Sequence, residues 1–205
     1  MKAVKISDKK AIDIAAETIQ RDCVIICPTD TVYGFLADAS NKKAVDKIFK
    51  IKKRAKSKPL PVFVRDIKMA KKLAFIDEPA FAKATAGKQE KILKKYWPGK
   101  YTFVLKAKKI EARPLSNLII GKNGTIALRI PKYKFLNDLL KKINKPLAQT
   151  SVNISGQPAL TKIGDIIEKF ARTGLTILII DGGDLPKSKP SKIIDLTSDY
   201  LTRLR

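Results

Sequence analysis

The chain has 205 residues, 44% of them hydrophobic, and its 43 lysines and arginines against 19 acidic residues give a formal net charge of +24. This length suits one large domain, or at most two small ones, and the apolar content is enough for a core; we expect a single domain over residues 1–205. The sequence contains no histidine, which excludes a His-bearing zinc or iron site and Ser-His-Asp or Cys-His catalysis.

The positive charge predicts attraction to polyanions such as nucleotides and RNA. Much of it comes from scattered lysines, which a solvated surface explains equally well.

We expect no membrane partner, because the N-terminus lacks a signal-peptide pattern and the longest apolar runs are too short to span a bilayer. In a strand, Cys23 and Cys27 would lie about 13 Å apart, too far for a disulfide. Buried thiols of this kind indicate a reducing compartment, so we expect a cytoplasmic protein.

Hydrophobic spacing predicts helices and strands along the whole chain. In chain order they are a helix over residues 8–20, a buried strand over 23–27, a helix capped by Ser40 with an apolar stripe of Ala44, Val45, Ile48 and Phe49, a strand over 60–64, helices over 66–74 and 79–95, strands over 101–105 and 125–130, helices over 135–143 and 163–170, and strands over 176–180 and 193–196. Several strands follow one another without a helix between them. The pattern therefore favours an open α/β fold with a mixed, twisted sheet and packed helices.

Small polar residues follow the first predicted strand, where the chain reads P-T-D-T-V-Y-G at residues 28–34. Ligands of open α/β sheets bind outside the carboxyl ends of strands. Thr31 and Tyr33 can supply polar contacts there, and Gly34 allows the backbone to approach a ligand closely. An ordinary turn uses the same residue types, so composition alone leaves both interpretations open.

Five cations crowd into the seven residues 52–58, between a predicted helix and a strand. Part of this cluster can complement the dipole at the helix C-terminus, and a solvated face is the alternative. A triphosphate clamp is the sharper interpretation, because a polyphosphate needs several fixed cations, with arginine making forked contacts and lysine acting as a point charge.

Polar side chains alternate after the short apolar stretch at residues 146–148. In extended backbone Ser151, Asn153 and Ser155 would share one face, as recognition of a nucleotide or an amino acid requires. A turn rich in serine and glycine is the alternative interpretation.

These segments resemble the YrdC-like family, the threonylcarbamoyl-AMP synthases. The resemblance is carried, in order, by P-T-D-T-V-Y-G (28–34), K-K-R-A-K-S-K-P-L (52–60), W-P-G-K-Y-T-F-V-L (97–105), A-L-R-I-P (127–131), T-S-V-N-I-S-G-Q-P (150–158), and D-G-G followed by S-K-I-I-D (181–195). The resemblance implies a YrdC-like fold with a concave basic face. It also implies ATP, L-threonine and bicarbonate as substrates, pyrophosphate as a product, and partner proteins that modify tRNA.

The resemblance also implies roles for particular side chains. Lys52 and Arg54 would be catalytic, and with Lys58 they would hold the triphosphate. The whole ATP-binding set would be Lys52, Arg54, Lys58, Thr125, Asn153, Thr161 and Arg205. The L-threonine set would be Thr31, Arg129, Ser151 and Ser191. A Mg²⁺ ion would accompany ATP and be bound mainly by phosphates, since no carboxylate cluster marks a protein cage for it.

The chain departs from the family pattern at two positions. Phe63 stands where many members carry a histidine, and Lys192 replaces a small hydroxyl residue in the S-K-I-I-D motif. The resemblance is to the short form, so we expect neither an additional C-terminal domain nor a lid from its linker.

Two alternatives remain at this point. A double-stranded-RNA or ribosomal-RNA binding protein without catalysis would also suit the charge, although aromatic residues make up only 7% of the chain and offer few stacking platforms. A carbamoyl-adenylate enzyme of the same fold, as in hydrogenase maturation, usually carries zinc-finger-like cysteines that this chain lacks.

Overall fold

One continuous mixed sheet organises the computed structural model, which describes residues 2–77, 87–109, 115–121, 123–170, 174, 176–198 and 202–204. Over these residues its strands are β1 (Lys2–Lys5), β2 (Val24–Cys27), β3 (Gly34–Asp38), β4 (Val62–Phe63), β5 (Tyr101–Lys106), β6 (Thr125–Arg129), β7 (Leu147–Ser151), β8 (Ile177–Asp181), β9 (Lys192–Asp195) and β10 (Thr202–Arg203). The helices are α1 (Ala11–Gln20), α2 (Lys42–Lys52), α3 (Ile67–Leu73), α4 (Lys88–Tyr96), α5 (Lys134–Ile143) and α6 (Ile163–Phe170), with a short 3₁₀ turn at Asn117–Ile119.

The strand order across the sheet is β1-β8-β2-β3-β7-β4-β6-β5-β9-β10. Strand β8 pairs in parallel with β1 and β2, whereas β3 pairs antiparallel with both β2 and β7. Strand β6 in turn pairs in parallel with β4 and antiparallel with β5. Parallel and antiparallel ladders therefore share one sheet, which confirms the predicted mixed α/β architecture.

Helices cover both faces of this sheet, because alternate side chains of a strand point to opposite faces. Val24 and Ile26 pack into a core with α2, α3, α4 and α6, whereas Ile25 and Cys27 pack into a second core with α1 and α5. The apolar stripe predicted over residues 135–143 lies in this second core and explains why α5 forms there.

Two local predictions were wrong. Asn41, not Ser40, caps α2, because its side-chain oxygen accepts from the amide nitrogen of Ala44 at 3.0 Å, while the Ser40 hydroxyl donates to Asp38. Cys23 precedes β2 and is partly exposed, so of the two free thiols only Cys27 is buried. The predicted helix over 79–95 falls partly outside the described residues, and α4 forms from residue 88 onward.

Strands β1, β3, β7 and β10 were not predicted. Strand β3 is buried at every position and so shows no polar alternation, and β7 carries Gln149 and Thr150 among its apolar residues.

Among the described residues no helix combines the length and apolar character needed to cross a membrane. The assignment of residues 1–205 to a single domain stays a prediction.

Candidate functional site

A cavity of about 590 Å³ opens where the start of β3, the end of β7 and the loop after α2 meet. Its lining comprises Thr29, Thr31, Val32, Tyr33, Gly34, Lys52, Lys53, Arg54, Ala55, Lys58, Pro59, Pro61, Val104, Ala127, Arg129, Gln149, Thr150, Ser151, Asn153, Ser155, Gly156, Pro190, Ser191, Ile193 and Leu204. Five of these residues are cations, and none of the described lining residues is a carboxylate. The cavity therefore favours a ligand that carries several negative charges.

Lys52 anchors the floor of this cavity from the last turn of α2. The residue is 2% exposed, and its ammonium nitrogen donates to the main-chain oxygen of Ser151 at 2.5 Å and to two oxygens of Asn153. Burial lowers the pKa of Lys52 to about 7, and the positive charge of Arg54 acts in the same direction. The three acceptor oxygens oppose this shift, because only an ammonium group can donate to all three.

Arg54 and Lys58 belong to the loop that leaves α2. Lys53 ends the helix in a left-handed conformation, with φ of 51°, and turns the chain toward the cavity. The Arg54 guanidinium donates to the main-chain oxygens of Lys58 at 2.8 Å and Pro59 at 3.1 Å. This arginine therefore stiffens the loop that presents the exposed Lys58 to the cavity.

Asn153 lies just beyond the end of β7 and is the middle member of the predicted polar alternation. Its side-chain oxygen accepts from Lys52 at 2.6 Å and from the Ser151 hydroxyl at 2.8 Å, and its amide nitrogen donates to the Gln157 main chain. The side chain is thus held at both ends, and it is only 9% exposed. Ser155, the third member of the alternating set, is exposed at the rim.

Arg129 reaches the cavity from β6 and is held by a buried carboxylate. Its guanidinium donates to Asp30 at 2.5 Å and to the Gly99 main-chain oxygen at 2.9 Å. The side chains of Arg129 and Asp30 are only 2% and 8% exposed. The guanidinium carbon lies 5.5 Å from the ring centroid of Phe63, which is fully buried and is not part of the cavity lining. Phe63 thus supports Arg129 from within the core.

The turn at residues 28–34 is ordered by its first hydroxyl. The Thr29 hydroxyl oxygen accepts from the amides of Thr31 at 3.0 Å and Val32 at 3.2 Å. A Cβ at residue 34 would lie 3.3 Å from the Thr29 methyl group, and this close approach favours glycine at that position. Tyr33 is buried, and its hydroxyl donates to Gly183, so burial raises the pKa of Tyr33 to about 12. Thr31 is left with its side chain at the cavity wall.

Most of the residues singled out from the sequence line one cavity: Thr31, Lys52, Arg54, Lys58, Arg129, Ser151, Asn153 and Ser191. Thr125 and Thr161 are not among the lining residues; Thr125 begins β6 opposite Lys106, and the Thr161 main chain bonds Leu185. Arg205 lies outside the described residues, although the adjacent Leu204 reaches the cavity. The functional roles of all these side chains stay predictions.

Asp30 was not assigned a role from the sequence, although it holds Arg129. The carboxylate stands in the P-T-D-T-V-Y-G motif, but its partner is 99 residues away. The sequence signal for this contact was a single acidic residue among small hydroxyl residues at a strand end. That pattern is also typical of a turn, so it did not indicate a partner for Asp30.

The fold and the site together define a class of protein: an open α/β protein with a basic cavity for a polyanionic ligand at its strand ends. The family model Sua5/YciO/YrdC, described as telomere recombination, matches residues 17–205. The chain therefore belongs to the Sua5/YciO/YrdC family.

Individual relatives agree with this membership. A protein of Methanocaldococcus jannaschii is 34% identical over 96% of this chain and 86% of its own length. A threonylcarbamoyl-AMP synthase of Pyrococcus abyssi is 33% identical over 91% of this chain, which spans only 51% of that protein. The chain is also similar to the crystal structure of P. abyssi Sua5 complexed with L-threonine, with 31% sequence identity and a TM-score of 0.83. The match covers 100% of this chain and 56% of the P. abyssi chain.

Proposed function

We propose that this protein is a threonylcarbamoyl-AMP synthase, which makes threonylcarbamoyl-AMP and pyrophosphate from L-threonine, bicarbonate and ATP. One observation carries the proposal: five cations, several hydroxyl groups and a fixed amide line one cavity whose described lining includes no carboxylate. Such a cavity suits a triphosphate and an amino-acid carboxylate together. The similarity to the P. abyssi synthase supports the choice of substrates.

The chemistry needs positioning and charge more than a dedicated base. The amine of threonine adds to carbon dioxide, released from bicarbonate, and loses a proton to give a carbamate. A carbamate oxygen then bonds to the α-phosphorus of ATP, while the bond from that phosphorus to the bridging oxygen of pyrophosphate breaks. Fixed cations stabilise the charge that develops on the leaving pyrophosphate.

The residues of the cavity divide into two groups in this reaction. Arg54 and Lys58 would contact the triphosphate, and Lys52 would add positive charge from beneath while it fixes Asn153. Arg129, held by Asp30, would pair with the threonine carboxylate, and Thr31, Ser151 and Ser191 would complete the amino-acid subsite. Both reactants would then lie in one cavity, which converts a bimolecular step into a unimolecular one.

A Mg²⁺ ion is proposed to enter with ATP. The cavity is lined by hydroxyls, amides and cations, and the described residues contain no cluster of three or more His, Cys, Asp or Glu side chains suited to a metal. This donor set fits an ion whose ligands are phosphate oxygens and water rather than protein carboxylates. Bound in this way, the ion would neutralise part of the phosphate charge.

The proposed product is unstable as a free mixed anhydride, so it is handed to a partner that transfers the threonylcarbamoyl group to a tRNA adenosine. The net charge of +24 also favours contact with tRNA or double-stranded RNA. Free thiols and the demand for ATP and tRNA support a cytoplasmic location.

The test is an assay of pyrophosphate release from ATP, with mass-spectrometric detection of threonylcarbamoyl-AMP. Release is expected only when L-threonine and bicarbonate are both present, and Arg54→Ala should abolish most of it. ATP hydrolysis that is independent of threonine would contradict the proposal. RNA binding without any adenylate product would instead favour the non-catalytic RNA-binding alternative.

A further inference from the structure

A second cavity, of about 430 Å³, lies at the opposite end of strands β3 and β7. Strand register places Gly34 opposite Ser151 at the end that faces the ATP cavity, and Asp38 opposite Leu147 at the other end. Four residue steps separate the two ends, a distance of about 13 Å at strand spacing. We call the space lined by Ser40, Arg65, Lys68, Met69, Lys72, Leu73, Leu115, Asn144, Lys145 and Pro146 the second cavity.

Cations surround the second cavity, and two of them are held in place. The Arg65 guanidinium donates to Asp66 at 2.7 Å and to the Asn144 side-chain oxygen at 2.9 Å. The Lys145 ammonium donates to Asp38 at 2.5 Å. These partners fix the positions of both charges before any ligand arrives, which reduces the entropic cost of binding.

Two further lysines line the second cavity from α3. Lys68 and Lys72 lie one turn apart on α3, and both are exposed. Neither forms an ion pair or a side-chain hydrogen bond with a described residue. Since side chains four residues apart share one face of a helix, both can reach a single anionic group at the mouth of the cavity.

The floor of the second cavity is apolar, which a site for a small inorganic anion does not need. Met69 and Leu73 are 7% and 5% exposed, and Leu115 and Pro146 complete the floor. The side-chain nitrogen of Asn144 makes no hydrogen bond with a described residue, so it can donate to a ligand beside this floor. The volume lies within the range of about 300–1,000 Å³ that is usual for small-molecule sites.

We propose that the second cavity binds a nucleoside phosphate. The phosphate lies between Lys68, Lys72 and Arg65, and the base lies on Met69 and Leu73 with its polar edge toward Asn144. A free mononucleotide and the terminal nucleotide of an RNA strand share this chemistry. The site is separate from the cavity proposed for ATP, and the inference does not depend on the activity proposed there.

The test is an NMR titration of the ¹⁵N-labelled full chain, which resolves the two cavities by their amides. AMP is expected to shift the amides of Lys68, Met69 and Leu147 in a saturable manner. The double variant Lys68→Gln/Lys72→Gln should weaken binding there by about tenfold while leaving shifts at Thr31 and Ser151 unchanged. The matched control Lys88→Gln/Lys91→Gln removes two exposed lysines from α4 and should bind as the wild type does.

Separate arms of the titration identify the ligand. If inorganic phosphate shifts the same amides at the same concentration as AMP, the base contributes nothing and the nucleoside assignment is overturned. The absence of any AMP-dependent shift at Lys68 and Met69 would also overturn it. Tighter binding of a 5′-phosphorylated trinucleotide RNA than of AMP would assign the site to an RNA end, and the reverse order would assign it to a free nucleotide; both orders support the proposal.

Discussion

The ammonium nitrogen of Lys52 donates to two oxygens of Asn153, the main-chain oxygen at 3.0 Å and the side-chain oxygen at 2.6 Å. This contact ties the end of α2 to the segment after β7, across 101 residues of chain. Lys52 therefore fixes the position of the segment after β7, and its own nitrogen is held beneath the cavity in which we propose that the triphosphate binds.

Asn153→Ala should lower the rate of pyrophosphate release by at least about tenfold, because the segment after β7 loses the side chain that orders it. The measurement is turnover at saturating ATP and threonine, below the unfolding temperature of the variant. Ser155→Ala is the control, since Ser155 is exposed at the rim of the same cavity. Equal rates in both variants would show that the Asn153 side chain is not needed for the reaction.

Arg54→Ala should weaken ATP binding by about tenfold or more, because the proposed triphosphate subsite loses a guanidinium that can make two parallel contacts to phosphate. The free energy of unfolding should fall by only about 1 kcal/mol, since the main-chain oxygens that Arg54 contacts can accept hydrogen bonds from water instead. Calorimetric titration with a non-hydrolysable ATP analogue measures the affinity. The neighbouring Lys53→Ala serves as the comparison, and unchanged affinity in Arg54→Ala would remove Arg54 from the site.

Asp30→Asn should lower the free energy of unfolding by about 3 kcal/mol, because the buried Arg129 guanidinium loses the negative charge of Asp30. It should also weaken threonine binding, since the Arg129 guanidinium loses one of the contacts that orient it at the cavity. Urea denaturation and a threonine titration measure the two effects. Asp13→Asn, which breaks the surface pair with Lys142, should cost less than about 1 kcal/mol. Similar losses in the two variants would argue against a special role for the buried pair.

Stability should depend on pH through Lys52. Burial lowers the pKa of Lys52 to about 7 in the folded chain, against 10.5 as its ordinary value. Between these two pH values the unfolded chain binds more protons than the folded chain does, so the free energy of unfolding should rise as the pH increases from about 7 toward 10.5.

Lys52→Met removes this contribution and isolates it from other titrating groups. The difference in unfolding free energy between wild type and Lys52→Met should therefore grow in favour of the wild type above pH 7. Lys43→Met, an exposed change on the same helix, should follow the wild-type curve. A difference that stays flat above pH 7 would show that the three acceptor oxygens keep Lys52 charged in the folded chain.

Local patterns in the sequence were sufficient to predict those helices and strands whose burial pattern is complete within a short stretch of chain. The apolar stripe over residues 135–143 determined α5, and the apolar run over residues 23–27 determined most of β2, because burial of one helix face or of a whole strand is visible within ten residues. The lack of histidine and the crowded cations after α2 likewise limited the chemistry without any coordinates.

Tertiary structure alone decided which polar residues share a cavity. The sequence places Asp30 and Arg129 in separate motifs, and only the pairing of distant strands brings their charges together. Thr125 and Thr161 resembled site residues yet do not line the cavity, and Lys52 looked like its solvated neighbours until burial and three acceptor oxygens set it apart. Burial and long-range contact depend on how the whole sheet is ordered, and no local spacing of residues encodes that order.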